Sequence, residues 1–259
     1  MISHRKTTLD FSSIHSCFLR QSMIPSPYTY TMYSHIIFDL DGTLIESLPG
    51  IAQALNNALS AHKLPTHSLD AVRGFIGDGS LVLCQRATKD QPESLQLAVH
   101  DTFLLEYPKA WKAGTSVFEG VLPLIAKLKS MQCTLSILSN KPHHFTTEIV
   151  DHFFPDSPFD LVLGQREGIA KKPDPSGVHE LLGELDQSSA NSILIGDSTI
   201  DIITARNAGI KSLAVTWGYH NKEALLAVAP SHAADTLDEV IEILTPTHTP
   251  AFRQPAELL

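Results

Sequence analysis

Short apolar runs alternate along most of this chain with longer stretches in which apolar residues recur every three or four positions. Short runs with β-branched residues are typical of strands buried in a parallel sheet, and the longer stretches are typical of helices packed on it. The pattern therefore predicts an α/β fold built on a doubly wound parallel sheet. The predicted strands are Ile36 to Phe38, Cys133 to Leu138, Phe159 to Leu163, Ser192 to Ile195, Ser212 to Thr216 and Ala233-Ala234.

One long segment interrupts this alternation after the first strand. Residues 48–115 contain helical patterns and no convincing strand, beginning with the face that carries Ile51 and Leu55. We predict that this segment is a helical cap domain, inserted into a core that consists of residues 34–47 and 116–246. Its further helical stretches are Leu69 to Phe75, Leu81 to Ala87 and Leu95 to Tyr107.

The two ends of the chain differ in composition from the rest. Residues 1–33 mix Ser, Thr and His with basic residues, contain one acid, Asp10, and include a Pro-Ser-Pro break at Pro25 to Pro27. Basic, Ser-rich and acid-poor ends also occur in transit peptides, and Met32 offers a start directly before the first strand. We favour a disordered or upstream extension over a targeting peptide, and we expect a loose tail over residues 247–259.

Charge and cysteine spacing argue against several classes of protein. The chain has 259 residues, a net charge of −9 and a pI near 5.8, whereas a nucleic-acid partner would call for a basic face. No apolar run approaches the length that spans a membrane. Three cysteines without paired spacing indicate a reduced compartment and no structural zinc, so we expect a cytoplasmic protein. We also expect a monomer or a homodimer.

The first predicted strand ends in two aspartates, Asp39 and Asp41, followed by Gly42 and Thr43. A strand of an open α/β sheet delivers its carboxyl end to the crevice where ligands bind, and Gly42 lets the backbone turn tightly there. Two neighbouring carboxylates repel each other unless a cation lies between them. The pair therefore indicates a site for a hard metal ion, with one carboxylate left for chemistry. The alternative is that both aspartates only cap a turn.

Polar residues also follow two later strands. Ser139, Asn140 and Lys141 provide a hydroxyl, an amide and an ammonium, which suit a phosphate oxygen, unless the first two only cap the next helix. Asp197 ends a further strand, and Asp201 lies four residues on, at the start of a helix. The two aspartates face one direction as the chain turns, or one of them is an N-cap and the other a surface acid.

Two more segments carry candidate chemistry. The four aspartates bear four negative charges and a divalent cation returns two, so a phosphate dianion is repelled unless a lysine of the pair Lys171-Lys172 is also present. A solvated loop is the ordinary interpretation of such a pair. Inside the predicted cap, a loop with three glycines brings backbone N–H groups towards an anion or forms an ordinary turn between helices. Its candidate residues are Arg73, Gly74, Gly77 and Gly79.

With these segments in this order, the sequence resembles the haloacid dehalogenase-like phosphohydrolases. The similarity rests on Asp-Leu-Asp-Gly-Thr after the first strand, Ser139, Lys-Pro-Asp-Pro from Lys172, and Gly-Asp-Ser-Thr-Ile-Asp from Gly196, over residues 35 to about 240. The resemblance implies a Rossmann-like sheet with an inserted helical cap. It also implies Mg²⁺-dependent hydrolysis of a small phosphorylated metabolite through an aspartyl-phosphate intermediate.

The resemblance also implies a role for each matching residue. Asp39 is the expected nucleophile, and Asp41 is the expected general acid and base. Asp39, Asp41 through its backbone carbonyl, and Asp197 are the expected Mg²⁺ ligands. Lys171 is expected to be solvated. The expected phosphate-binding residues are Gly42, Ser139, Asn140 and Lys172, with Thr43 and Asp201 as supporting residues.

The cap loop and two core segments favour one substrate within this family. The loop, Ser-Asn-Lys-Pro from Ser139 and Lys-Lys-Pro-Asp-Pro from Lys171 resemble those of phosphoglycolate phosphatases, so 2-phosphoglycolate is the first expectation. Asp41 argues against a true dehalogenase, which lacks the second aspartate, and the loop has no lysine for the Schiff base of a phosphonoacetaldehyde hydrolase. Glu46 departs from the Asp that relatives commonly have before Ser47. The alternatives are a sugar-phosphate mutase, a nucleotide or pyrophosphate phosphatase, and a non-catalytic binding module.

Overall fold

The computed structural model describes residues 33–245, in which two sheets are formed. The strands are β1 (His35–Phe38), β2 (Ile45–Glu46), β3 (Ser116–Val117), β4 (Thr134–Pro142), β5 (Leu161–Gln165), β6 (Ser192–Gly196), β7 (Lys211–Val215) and β8 (His232–Ala234). Six of them form a parallel sheet in the order β5-β4-β1-β6-β7-β8, and β2 and β3 form a separate antiparallel pair. Apart from Tyr33, the predicted extension and tail lie outside the described residues.

Strand β1 lies where the direction of winding reverses. The chain adds β4 and β5 on one side of β1 and then returns to add β6, β7 and β8 on the other side. In a sheet of this kind, ligands bind beyond the carboxyl ends of the strands at the reversal point. Phe38 is aligned with Ile137 and Ile195, so the carboxyl ends of β1, β4 and β6 lie at the same edge of the sheet.

Helices cover both faces of the sheet because successive strand residues point to opposite sides. Ile36 and Phe38 pack with α5, α6 and α10, whereas Ile37 packs with α7 and α8. The helices are α1 (Leu48–Ala61), α2 (Leu69–Arg73), α3 (Ser80–Ala87), α4 (Glu93–Ala110), α5 (Val121–Ser130), α6 (His143–Phe153), α7 (Ser176–Glu184), α8 (Thr199–Asn207), α9 (Lys222–Ala227) and α10 (Leu237–Leu244). None of these described helices is long and apolar enough to cross a membrane.

Helices α1 to α4 lie between the paired strands β2 and β3, which join them to the sheet-containing core. Ile45 pairs with Val117, so the chain enters and leaves the helical segment side by side. The Gly50 N–H donates to the Gly114 carbonyl at 3.0 Å. A Cβ at Gly114 would lie 2.4 Å from the Gly50 backbone, so the close crossing of the two connections requires glycine.

The boundaries of two predicted elements differ from the observed ones for identifiable reasons. The apolar run of β4 stops at Leu138, but the strand continues to Pro142, because its pairing with β5 resumes at Gln165 after a register shift. Polar residues can therefore belong to a buried strand when its neighbour still supplies backbone partners. The predicted helix from Leu69 to Phe75 stops at Arg73, because the next residue, Gly74, has a low helix propensity.

The sheet also buries one histidine. His35 is fully buried, with Nε2 at 2.8 Å from the Ser136 hydroxyl and Nδ1 at 3.2 Å from the Ser192 hydroxyl. Burial lowers the pKa of His35 to about 4, against a smaller opposing effect of Asp160. The imidazole is therefore neutral in the folded protein near pH 7.

Candidate active site

Three carboxylates converge at the carboxyl edge of the sheet. Asp39 follows β1, Asp197 follows β6, and Asp201 lies in the first turn of α8. One oxygen of each lies within 4.8 Å of the others, and all three residues are buried. Carboxylate oxygens are the ligands that hard divalent cations prefer, so the cluster could hold such an ion.

A buried lysine contacts two of these carboxylates. Lys172 Nζ donates to Asp39 Oδ1 at 2.8 Å and to Asp201 Oδ1 at 2.6 Å. Burial lowers the pKa of Lys172, but Asp201 and Asp39 outweigh it, so the pKa lies above its ordinary value. The lysine is therefore charged at neutral pH and holds Asp39 in place.

Asp201 is also held from its other side by the start of α8. The Ser198 hydroxyl and N–H donate to Asp201 Oδ2 at 2.6 and 3.1 Å, and the Asp201 N–H donates back to the Ser198 hydroxyl. This reciprocal pattern is a capping box, which satisfies N–H groups at the start of a helix. The carboxylate that contacts Lys172 is thus fixed by secondary structure.

Asp197 receives hydrogen bonds from two separate parts of the core. Thr43 Oγ1 donates to one oxygen at 3.2 Å, and the Tyr219 N–H donates to the other at 2.7 Å. Gly42 has φ +83°, and a Cβ there would lie 2.4 Å from Asp197 Oδ2. Glycine therefore allows the turn after β1 to lie against this carboxylate.

The crowding of negative charge changes the acidity of the cluster. Burial, more than any other cause, raises the pKa of Asp39 to about 7, with Lys172 opposing it and Asp201 adding to it. Burial, Asp39 and Asp201 together hold the pKa of Asp197 well above its ordinary value. A divalent cation between the carboxylates would favour their ionised forms, because it supplies the charge that burial removes from water.

Asp41 belongs to a second group, on the side of the cavity nearer the helical segment. Lys141 Nζ lies 2.9 and 2.8 Å from its two oxygens, and the Ser47 hydroxyl donates to it at 2.5 Å. The Lys141 ammonium also lies over the ring of Tyr107, 4.8 Å from its centroid. Burial lowers the pKa of Lys141, but Asp41 outweighs it, so this lysine is also charged.

Both groups line one cavity of about 60 Å³ between the core and the helical segment. Its core end is formed by Asp39, Asp197, Lys172 and the buried Ser139. Most side chains at its other end are apolar, among them Ile51, Ile76, Leu83, Phe103 and Phe145. The cavity therefore places a cluster of charges opposite an apolar wall.

Two donors of the core bind the loop between α2 and α3. Asn140 Nδ2 donates to the Gly77 carbonyl and to the Lys172 carbonyl, each at 3.0 Å. Lys171, which was expected to be solvated, is exposed but donates to the Asp78 carbonyl at 2.5 Å. These contacts hold Gly77 and its neighbours at the wall of the cavity.

The match to a family model covers most of the chain and every candidate core residue. The model of the haloacid dehalogenase-like hydrolases matches residues 36–215. The chain belongs to the haloacid dehalogenase-like hydrolase family. The match spans the three converging carboxylates, Ser139 and Lys172, together with the inserted helices.

Relatives of this haloacid dehalogenase-like hydrolase are similar over nearly their whole length. A phosphoglycolate phosphatase of Vibrio parahaemolyticus is 32% identical over 81% of this chain and 95% of the relative. One of Yersinia pestis is 30% identical, over 79% and 92%. The crystal structure of a predicted phosphoglycolate phosphatase from Haemophilus somnus has a TM-score of 0.77, with 28% identity over 82% of this chain and 98% of that one. The predicted family, hydrolase class and α/β fold are thus confirmed.

The structure does not bring all the predicted site residues of this hydrolase into one group. It brings Asp39, Asp197 and Lys172 together, whereas the Asp41 side chain pairs with Lys141. Gly77 and Gly79 line the cavity, but Arg73 and Gly74 do not. Arg73 is half exposed, and its guanidinium lies 3.8 Å from Asp70 on the surface.

Sequence reasoning did not place four residues of this hydrolase at or around Asp41, where the structure has them. Lys141 stood in the recognised Ser-Asn-Lys segment, but its partner Asp41 lies 100 residues away. Tyr219 follows the predicted strand Ser212 to Thr216 and was not among the candidates; its hydroxyl accepts from the Ser47 N–H at 2.7 Å and donates to Glu46 at 2.9 Å. Nothing in the local pattern marked Ser47 or Tyr107.

Proposed function

We propose that this hydrolase is a phosphatase that acts on a small phosphorylated metabolite, with 2-phosphoglycolate as the first candidate substrate. The similar relatives of Vibrio parahaemolyticus and Yersinia pestis are phosphoglycolate phosphatases. The observation that carries the proposal is the contact of buried Lys172 with both Asp39 and Asp201. Lys172 holds a carboxylate nucleophile and places a positive charge beside the position of the transferred phosphoryl group.

Asp39 performs the first step. Its carboxylate oxygen attacks phosphorus, an Asp39–phosphorus bond forms, and the bond between phosphorus and the leaving oxygen breaks. Lys172 and a bound cation favour the ionised, nucleophilic form of Asp39, against the burial that raises its pKa. Asp41 donates a proton to the leaving oxygen, so the product departs as a neutral alcohol group.

Water completes the reaction. Asp41, now ionised, accepts a proton from a water molecule that attacks phosphorus, and the bond to Asp39 breaks. Inorganic phosphate is released, and both aspartates return to their starting states. Lys141 and Ser47 hold the Asp41 carboxylate in place between the two steps.

The converging carboxylates fit Mg²⁺. Asp39 and Asp197 would hold the ion, with Asp201 close by and the Asp41 backbone carbonyl as the further predicted ligand. When bound, the ion supplies positive charge to the phosphoryl oxygens. The Asp41 side chain is not part of this set, because Lys141 binds both of its oxygens.

Ser139 and Lys172 remain the phosphate-binding residues of the proposal, whereas two other predicted ones receive different roles. The Gly42 N–H donates to the Ile45 carbonyl at 2.9 Å, so it is engaged in the turn. The Asn140 amide donates to the carbonyls of Gly77 and Lys172. We assign both residues to positioning, since their donors already have partners.

The helical segment acts as the cap of this phosphatase. It closes a cavity of about 60 Å³ over the carboxylates, which limits the water that reaches the phosphoryl group. The leaving group of a bound substrate would therefore lie against the helical segment, whose side chains can select it.

The test measures phosphate release from 2-phosphoglycolate, hexose and pentose phosphates, nucleotides and pyrophosphate, with Mg²⁺ and with a chelator. We expect chelator-sensitive turnover that is fastest with 2-phosphoglycolate. Asp39→Asn removes the nucleophile and is expected to lower kcat by at least about 10³-fold with the fold intact. Asp235→Asn, which changes an exposed aspartate of the same type, is the matched control.

Three results would contradict this proposal. Turnover by Asp39→Asn at the native rate would remove the assigned nucleophile. A preference for another phosphomonoester would contradict the proposed substrate but not the proposed mechanism. Absence of phosphate release from every compound, with any divalent ion, would favour a mutase or a binding module.

A further inference from the structure

The apolar end of the cavity contains one buried hydroxyl whose hydrogen has no acceptor among residues 33–245. Tyr107, on cap helix α4, is 1% exposed, and the group beside its hydroxyl is the Lys141 ammonium, which can only donate. Phe103 stacks on its ring at 5.4 Å, and Phe145 contacts the ring edge-on at 5.1 Å. Buried polar groups are nearly always satisfied, so a hydroxyl held like this at a cavity wall indicates a ligand that accepts its hydrogen.

A buried ammonium lies against the same ring. Lys141 Nζ is paired with Asp41, the one carboxylate within residues 33–245 that forms an ion pair with it. An ammonium has three donors, and Asp41 supplies two oxygens. The ammonium also lies over the Tyr107 ring and beside its hydroxyl, so the Lys141 charge and the hydroxyl hydrogen lie together at one place on the cavity wall.

The start of helix α6 adds positive potential at this place. Pro142 and Phe145, which bracket its first turn, both line the cavity. The first turn contains no acidic residue, and no side chain caps it. The partial positive charge at the amino end of a helix is therefore uncompensated by the chain beside Lys141.

We propose that Lys141 and Tyr107 form a subsite for a carboxylate carried by the leaving group of the substrate. This proposal rests on the proposed phosphatase function and restricts its substrates to phosphomonoesters of short hydroxy acids. Asp41, placed at the leaving oxygen, lies next to Lys141, so the acid group is one or two carbons from the ester oxygen. The hydroxyls of a sugar would find few partners on the apolar wall formed by Leu83, Phe103 and Phe145.

The test compares two substrates that differ in one charge, 2-phosphoglycolate and its neutral amide, in the Mg²⁺-loaded full chain. The measured quantity is the ratio of their kcat/KM values. We expect the unmodified protein to prefer the acid by at least about 30-fold. Tyr107→Phe removes one donor and is expected to lower that ratio about tenfold, while kcat/KM for the amide changes less than about threefold.

Lys141→Met provides a second variant, because it removes the charge and keeps a side chain of similar length. It is expected to lower the ratio at least as much as Tyr107→Phe, in addition to slowing both substrates through Asp41. Tyr33→Phe is the matched control, since the Tyr33 hydroxyl bonds His232 far from the cavity. Turnover of the amide shows that each variant is folded.

The outcomes separate the subsite from the function on which it rests. An unchanged ratio in both variants, with the acid still preferred by the unmodified protein, overturns the subsite and leaves the phosphatase proposal standing. Equal turnover of acid and amide by the unmodified protein also overturns the subsite. Absence of phosphate release from any phosphomonoester overturns both proposals.

Discussion

The two buried lysines of the cavity differ in the origin of their partners. Lys172 contacts Asp39 and Asp201, which lie at the end of a core strand and the start of a core helix. Lys141 contacts Asp41 of the core, and its ammonium lies over Tyr107 of the cap. The first site is therefore complete within the core, whereas the second is complete only with the cap in place. The two lysines therefore depend on different parts of the chain for their surroundings.

Loss of Lys172 is expected to have the largest effect on stability. Lys172→Met leaves two buried carboxylates without their counter-charge, so we expect the free energy of unfolding to fall by about 3 to 5 kcal/mol. Urea unfolding at pH 8 with a chelator measures this change. The control Lys222→Met removes an exposed ion pair with Asp235 and is expected to change stability by less than about 0.5 kcal/mol. Equal losses of unfolding free energy in Lys172→Met and Lys222→Met would show that burial does not increase the contribution of the Lys172 ion pairs to stability.

Protonation of His35 changes stability below pH 6.5, so the effects of the two lysine substitutions are compared above that pH. Its folded pKa, about 4, lies below the ordinary value of 6.5. Above pH 6.5 the imidazole is neutral in both the folded and unfolded states and contributes nothing. As the pH is lowered from 6.5 to 4, the unfolded chain binds a proton on this histidine before the folded chain does. The free energy of unfolding therefore decreases as the pH is lowered, by at most about 3 kcal/mol from this group.

Comparison of the native protein with His35→Gln measures this contribution, because the difference isolates one group from the other titrations. The difference between the two free energies of unfolding is expected to be constant above pH 6.5 and to shift in favour of the variant below it. Parallel curves from pH 8 to pH 4 would show that His35 does not resist protonation in the folded state.

Loss of Lys141 is expected to have the smallest effect on stability. Lys141→Met removes the counter-charge of one carboxylate, and Asp41 keeps its hydrogen bond from Ser47. We therefore expect a loss of about 2 kcal/mol in the urea experiment used for Lys172→Met. A loss as large as that of Lys172→Met would remove the distinction between the two sites.

Local sequence signals could locate the core site because each of its carboxylates directly follows an apolar strand or lies at the start of a helix. Asp39 and Asp197 were recognisable for this reason, and Lys172 by charge balance and its Lys-Pro-Asp-Pro setting. Residue type alone did not reveal which donors were already engaged. The Gly42 N–H and the Asn140 amide could have bound phosphate, but carbonyl oxygens elsewhere in the chain accept from them.

The cap side of the site was less predictable because its contacts join distant segments. Ser47 and Tyr219 are 172 residues apart, and Asp41 and Lys141 are 100 apart. Glu46 illustrates the same limit. It departs from the aspartate that relatives commonly have, and its carboxylate accepts from the Leu48 N–H and from the Tyr219 hydroxyl, a partner that lies 173 residues away.

The paired connections β2 and β3 have a consequence for how such a protein diversifies. Because the chain departs and returns through hydrogen-bonded neighbours, Ile45 and Val117, the order of the six core strands does not depend on what lies between them. Helices can be lengthened, exchanged or recombined there while Asp39 and Lys172 keep their positions. Selection can therefore change the molecules that are recognised without having to rebuild the reaction.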